Sequence, residues 1–322
     1  MNALYAEMLV QVEREIQLLD FPAKPANLYD PVRYIMSLGG KRVRPILTLL
    51  GCELYGTPYK NAINQAMAVE LFHNFTLMHD DVMDSAATRR NVATVHKKWS
   101  SSIALLSGDG MMVLAYQKLF LAPENKVKML GAVFSKTAIE VCEGQQLDMD
   151  YAEQNILELD KYLEMIRLKT AVLLTGSLQI GAIMAGVKQT ETEALKDFAE
   201  SVGLAFQLKD DCLDAFGSET FGKSIGGDIK EGKRTWLTLK CFELASESVR
   251  KELTALYQNP DLAFRVDAVK SLYVDLGIEK LAEQEVAVYS QRALDALDSI
   301  EGNPAAKETL SWLVNQLVGR TN

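Results

Sequence analysis

The chain has no unbroken apolar run of roughly 18 residues, so no segment reads from sequence as a membrane-spanning helix. Cysteine is scarce: Cys52, Cys142, Cys212 and Cys241 are the only four among 322 residues. None forms a CxxC pair, and no metal-ligand spacing ties them to the three histidines. A zinc site is therefore not expected, and isolated buried or semi-buried thiols in a reducing cytoplasm are. Positive charge is also in deficit, with 34 Lys and Arg against 43 Asp and Glu and a formal net charge of -9. That balance argues against general nucleic-acid binding but leaves room for a local basic pocket that holds phosphate. The N-terminus, MNALYAEMLVQVEREIQLLD, lacks a basic stretch followed by an apolar one. It reads as an amphipathic helix and not as a signal peptide.

Strand signals are missing too: no turn dipeptide sits between two alternating apolar runs. Helical periodicity occupies the chain instead. Asp30-Pro31, then VRYIMSL, then Gly39-Gly40, has the form of a helix with an Asp cap, a proline in the first turn and a glycine stop. Asn61 to Asp84 contains neither proline nor glycine. Its apolar residues Ala66, Val69, Leu71, Phe72, Phe75, Leu77 and Met78 are too dense for a surface helix, which predicts a central one. Further helical stretches are expected over 108–121, 126–149, 159–186, 192–216, 262–276 and 279–300. With no long linker and no shift in composition, the sequence predicts one all-α domain over 1–322, built of roughly ten to thirteen helices.

Two acidic clusters stand out. Asp80-Asp81-Val82-Met83-Asp84 closes the apolar run LFHNFTLMHDD, and Asp210-Asp211-Cys212-Leu213-Asp214 closes GLAFQLKDDCLD. In each, the first and fifth residues share a helix face, and the second is turned by about 100°. Like charges on one face repel unless a cation compensates, and carboxylate oxygens suit Mg²⁺ in company with substrate phosphates. Either cluster alone is an ordinary acidic helix end. Two with identical spacing in one helical chain point to a shared metal–diphosphate chemistry across a cavity. Basic residues accompany them: Gly39-Gly40-Lys41-Arg42-Val43-Arg44-Pro45 joins two helices, and Arg89-Arg90 follows the first cluster. Arg and Lys supply the charge-assisted bonds that a diphosphate needs. A glycine-rich stretch, FGKSIGGDIKEGKRT at 221–235, brings Lys223 and Lys233. Its Gly227 to Lys233 portion nearly matches a phosphate-binding P-loop, but Arg234 replaces the Ser or Thr and no strand precedes it.

Together these pieces resemble the trans-isoprenyl diphosphate synthase (polyprenyl synthetase) family, whose farnesyl and geranylgeranyl diphosphate synthases carry the same motifs. The matching segments are GGKRVRP, ELFHNFTLMHDDVMDSAATRR, LKT at 168–170, FQLKDDCLD and GKSIGGDIKEGKRT, in the family's order over residues 39–235. One departure is Asn91, where the family commonly has glycine after the arginine pair. The resemblance implies an all-α isoprenoid synthase bundle around a deep central cavity, a homodimer and a cytoplasmic location. It implies a Mg²⁺-dependent prenyltransferase, with three ions per active site and Mn²⁺ as a substitute. The substrates implied are isopentenyl diphosphate and an allylic diphosphate (dimethylallyl, geranyl or farnesyl).

Roles follow position by position from that resemblance. Asp80, Asp84 and Asp210 would bind metal directly, with Asp81, Asp211 and Asp214 shaping the shell or binding through water. Arg89, Lys169, Lys223 and Lys233 would neutralise the allylic diphosphate. Lys41, Arg44, His73 and Arg90 would hold isopentenyl diphosphate, and His73 lies seven residues before Asp80, on nearly the same helix face. Thr170 and Gln207 would present oxygen dipoles to the reacting carbons. The growing chain would run along the helix of the first cluster towards Phe75, about 7.5 Å from Asp80 along the axis, with Thr76 beside it and Phe72 one turn deeper. An aromatic Phe75, a small Thr76 and no insertion in the first cluster are the pattern of a C20 synthase, with a C15 synthase as the alternative. A class I terpene cyclase and a non-catalytic partner subunit are the remote readings. A cyclase usually carries a different second metal motif, and a partner subunit would have lost one cluster.

Overall fold

The computed structural model describes residues 1–152, 158–188, 191–217 and 226–319. Among these residues the chain forms sixteen α-helical segments. They are α1 (Ala3–Gln17), α2 (Ala26–Ser37), α3 (Val43–Leu54), α4 (Ile63–Met83), α5 (Val95–Lys98), α6 (Ser101–Leu119), α7 (Glu124–Ala152) and α8 (Leu159–Ile166). There follow α9 (Val172–Ala185), α10 (Glu193–Phe216), α11 (Gly227–Glu231), α12 (Trp236–Leu244), α13 (Glu247–Gln258), α14 (Leu262–Asp275), α15 (Ile278–Asp298) and α16 (Pro304–Val318). The all-α class is as expected. The count exceeds the sequence expectation partly because α5 and α11, at four and five residues, are too short to carry a helical period.

Two local expectations are corrected. Asp30-Pro31 does not open a helix: α2 begins at Ala26 and runs through Pro31. The proline lacks the N–H that would bond the Asn27 carbonyl four residues back. The Ser107 hydroxyl donates to that carbonyl at 3.4 Å, which makes an internal proline tolerable. The second correction is a small antiparallel ribbon, β1 (Thr88–Arg89) with β2 (Val92–Ala93). Its two-residue loop, Arg90-Asn91, has φ of 52° and 64°. Positive φ at both loop residues is the signature of the tight reversal that matches strand twist, and Asn tolerates that region well. Asn91 therefore fills a position suited to glycine. The Tyr34 hydroxyl donates to the Ala93 carbonyl at 2.7 Å and ties the ribbon to α2.

The chain divides into two compact units. The first comprises Met1–Lys136, Gly176–Glu193 and Glu301–Leu310, and the second Thr137–Thr175, Ala194–Ile300 and Ser311–Asn322. Helices α7, α9 and α16 each begin in one unit and end in the other.

In the first unit α4 is the central helix, burying Ala66, Val69, Leu71, Phe72 and Met78. It also buries charge. The Arg42 guanidinium, 1% exposed, donates to Glu70 at 2.7 Å, to Glu13 at 2.8 Å and to the Met36 carbonyl at 3.0 Å. The Asn74 amide donates to the same Glu70 oxygen at 3.0 Å. Arg42 also caps α3 in a left-handed conformation, φ 47°, so its side chain and its strained backbone both fix the end of the Gly39–Lys41 loop. The Tyr5 hydroxyl donates to the Lys41 carbonyl at 2.5 Å and holds the same loop from α1.

The second unit packs Tyr162, Met165, Leu208, Trp236, Leu253, Val269, Tyr273 and Val286 into one core. Its buried hydroxyls are satisfied among themselves: Thr238 Oγ1 lies 2.7 Å from both the Tyr257 and Tyr273 hydroxyls. Cys52, Cys212 and Cys241 are buried, but Cys142 on α7 is exposed. The stretch Leu159–Ala185 is long and apolar enough, by length and composition, to cross a membrane, but 78% of its window is buried within the protein, as in a core helix.

Removing one partner of a buried, multiply bonded ion pair leaves an uncompensated charge, at a cost of about 3–5 kcal/mol. Arg42→Ala should therefore lower the urea midpoint followed by circular dichroism far more than Arg33→Ala, whose pairing with Asp30 is on the surface.

Candidate active site

Both acidic clusters bury their second carboxylate. Asp81 is 2% exposed and receives Arg89 Nε at 2.9 and 3.0 Å and Nη2 at 2.8 Å. Burial pushes its carboxyl above the ordinary range, opposed by Arg89. Asp80 lies 3.7 Å from the same guanidinium, and Asp84, the C-cap of α4, is exposed. In the second unit Asp211 is 3% exposed. It accepts the Tyr162 hydroxyl at 2.5 Å and the Gln207 amide at 3.1 Å. Burial lifts Asp211 to about 8, against the pull of those two hydrogen bonds. Asp210 is half-buried on the adjoining face of α10. Asp214 accepts the Asp228 backbone N–H at 3.0 Å, and so ties α10 to the start of α11.

The remaining carboxylates, half-buried Asp80 on α4, exposed Asp84 at its C-cap and half-buried Asp210 on α10, are hard oxygen donors. They fit Mg²⁺, which binds one or two carboxylates and completes its shell with water and phosphate oxygens. Among the described residues no group of three or more His, Cys, Asp or Glu is gathered into a cage made of protein alone.

The basic residues divide by unit. In the first, Arg44 Nη1 lies 3.2 Å from His73 Nε2. A guanidinium can only donate, so Nε2 accepts and the imidazole proton sits on Nδ1. Burial, then the charges of Arg44, Arg90, Arg89 and Arg42, hold His73 well below its ordinary 6.5. Burial also lowers Arg44 to about 10, leaving it charged at neutral pH. Its Nε is a buried N–H without a hydrogen bond among the described residues. Arg90 is exposed, and its Nη1 donates to the Leu38 carbonyl at 2.6 Å and to the Gly39 carbonyl, bracing the loop that carries Lys41. Arg42, the middle member of the basic run, serves the buried ion pair instead of this cluster.

In the second unit Lys169 and Thr170 sit on a π turn, Arg167–Ala171, between α8 and α9. A side chain on Gly144 of α7 would collide with the backbone at Leu168 and Lys169, so that turn rests directly on α7. Lys169 Nζ pairs with Asp148 at 2.6 Å. The Thr170 hydroxyl donates to Gln207 Oε1 at 3.3 Å, and the Gln207 amide donates in turn to Asp211. Burial disfavours the Lys233 ammonium, but Glu231, Asp228 and Asp148 outweigh it and raise its pKa. Lys223 lies outside the described residues. The sequence reading missed Asp148 and Tyr162, which engage Lys169 and Asp211 from 21 and 49 residues away.

Along α4, Phe72 is fully buried, with ring centroids 5.3 Å from Phe134 and 5.6 Å from Phe75. Phe75 is half-buried, and Thr76 turns its hydroxyl back to the His73 carbonyl at 2.8 Å.

A helical bundle with two acidic clusters, each accompanied by basic side chains, defines the architecture of an isoprenoid synthase. A family model described as polyprenyl synthetase matches residues 25–276. A geranylgeranyl pyrophosphate synthase of Geoglobus acetivorans is 35% identical over 312 residues, covering 96% of each chain. A crystal structure of a geranylgeranyl pyrophosphate synthase superposes with a TM-score of 0.92 at 43% identity, covering 100% of both chains. The geranylgeranyl pyrophosphate synthetase of Pyrococcus horikoshii gives 0.91 at 32% identity, covering 99% of this chain and 98% of that one. The chain belongs to the polyprenyl synthetase family, and it is a prenyltransferase.

His73 has a folded pKa below its unfolded one, so as pH falls through about 6.5 the unfolded chain takes the proton first and folding loses stability. Between about pH 7 and pH 5 the thermal midpoint of the wild type should fall more than that of His73→Gln. Equal slopes would show that His73 is not held neutral by its surroundings.

Proposed function

We propose that the chain makes geranylgeranyl diphosphate (C20) by adding isopentenyl diphosphate to allylic diphosphates, in the order dimethylallyl, geranyl and farnesyl. The observation that carries the reading is the anion site beside the first cluster: a buried Arg44 Nε without a hydrogen bond among the described residues, next to an imidazole kept neutral. A diphosphate supplies the acceptor oxygens that such donors lack. The relatives' names and the Phe75, Thr76 pattern support C20.

Lys41, Arg44, His73 and Arg90 hold the diphosphate of isopentenyl diphosphate. Arg89, Lys169, Lys223 and Lys233 neutralise charge as the allylic carbon–oxygen bond breaks. Thr170 and Gln207 turn oxygen dipoles to the allylic cation, their orientation set by the hydrogen bond from Thr170 to Gln207 and that from Gln207 to Asp211. Mg²⁺ held by Asp80, Asp84 and Asp210, or Mn²⁺ in its place, would supply further positive charge to the leaving diphosphate. Exclusion of water keeps the cation from being quenched. The double bond of isopentenyl diphosphate then attacks, and the released diphosphate takes the proton lost.

The whole chain, 1–322, acts as a single prenyltransferase domain, a reading supported by helices α7, α9 and α16 running through both units. It acts in the cytoplasm as a homodimer, a state supported by exposed apolar residues seven apart, Leu106 and Val113 on α6 and Phe120 at its C-cap.

Incubation of the purified protein with Mg²⁺, isopentenyl diphosphate and each allylic primer, with products sized by chromatography, tests the reading. C20 product is expected; C15 or C25 as the main product overturns the chain length, and a cyclic hydrocarbon overturns the reaction. Asp80→Ala and Asp210→Ala should each cost on the order of 10²–10³ in turnover, with the helical circular dichroism retained. Near-normal turnover in either would remove it from the metal site. Phe75→Ala should shift the products beyond C20, and an unchanged distribution would show that Phe75 is not the stop.

A further inference from the structure

His79, the residue before the first acidic cluster, is given no role in the diphosphate and metal sites proposed above. Its surroundings are nonetheless specific. Its Nε2 lies 3.0 Å from the Leu105 carbonyl of α6. A carbonyl oxygen can only accept, so Nε2 carries the proton and donates across to the neighbouring helix. The imidazole lies directly over Gly108 of α6, where any β-carbon would collide with Nε2 and Cδ2. The ring also meets Phe75 in a T-shaped contact, with centroids 4.7 Å apart and planes at 63°.

His79 is thus held by α6 and in turn packs against Phe75. A residue four positions along a helix from an aromatic lies over the same face and restricts its rotamer. Phe75 meets only one other ring, that of Phe72 on its own helix, among the described residues. By way of Phe72 it is related to Phe134 of α7, and by way of His79 to α6.

We infer that His79 is a positioning residue that sets product length by fixing the ring of Phe75 against α6. The inference rests on Phe75 being the stop for the growing chain. With Phe75 held, the ring presents one fixed barrier. Once His79 is gone, the ring can turn aside and admit longer products.

The test is product length and not activity alone. His79→Ala should raise the fraction of products longer than C20 by about two- to tenfold, the range that one aromatic pair is worth. His79→Gln can keep a bond to the Leu105 carbonyl but has no ring, and should shift products in the same direction. Adding His79→Ala to Phe75→Ala should leave the Phe75→Ala distribution unchanged, because the residue acts through that ring. If Phe75→Ala lengthens products and neither His79 variant does, the inference fails while the chain-length reading stands. If Phe75→Ala has no effect, the chain-length reading itself fails. If His79→Ala lengthens products equally with and without Phe75, His79 lines the path directly and the positioning role is wrong. Should His79→Ala fold poorly, the Gln variant decides the same question.

Discussion

A carboxylate taken out of water must be met by donors, and that constraint organises both acidic clusters. Asp81 and Asp211 occupy the same place in their two motifs, and each is almost completely buried. Asp81 is met by a guanidinium and Asp211 by a phenol and an amide. Different chemistry in the two units has one effect. It pins the second residue of each motif, and helix geometry then turns the first onto an adjoining face. A buried, hydrogen-bonded neighbour of this kind is how the geometry of a ligand is usually set in metal sites.

The basic residues show a related division of labour. Arg42 neutralises Glu70 and Glu13 inside the first unit and anchors the loop. Arg90 braces the same loop through backbone carbonyls. Arg44 is left with an N–H that no described group satisfies. In the second unit Asp148 holds Lys169 and adds to the field around Lys233. Cations oriented in this way by protein groups lose less freedom when they meet an anion.

Much of this was legible in the sequence because helices turn sequence spacing into a face. The central position of α4 followed from its apolar density, and the closing of that helix at Asp80 to Asp84 from the end of the apolar run. What could not be read depended on partners remote in sequence or on backbone irregularity. Nothing in KRVR separates Arg42, which is buried in an ion pair, from its neighbours Lys41 and Arg44. Tyr162 and Asp148 carry no local signal, since their partners are reached only through folding. The reversal at Arg90-Asn91 joins strands of two residues each, too short for alternation to appear.

The π turn at Arg167–Ala171 has an evolutionary reading as well as a structural one. Such a turn absorbs one residue more than a regular helix would, without moving either end. The apolar faces before and after it are therefore out of phase by about 100°, one residue's rotation. Alignment of Leu159–Ala185 as a single regular helix would assign Lys169 and Thr170 to the wrong side of it. Gain or loss of one residue there leaves both flanking helices in place and changes which side chains the turn presents. The segment is a place where a minimal change in length can alter the face of a helix while the scaffold persists.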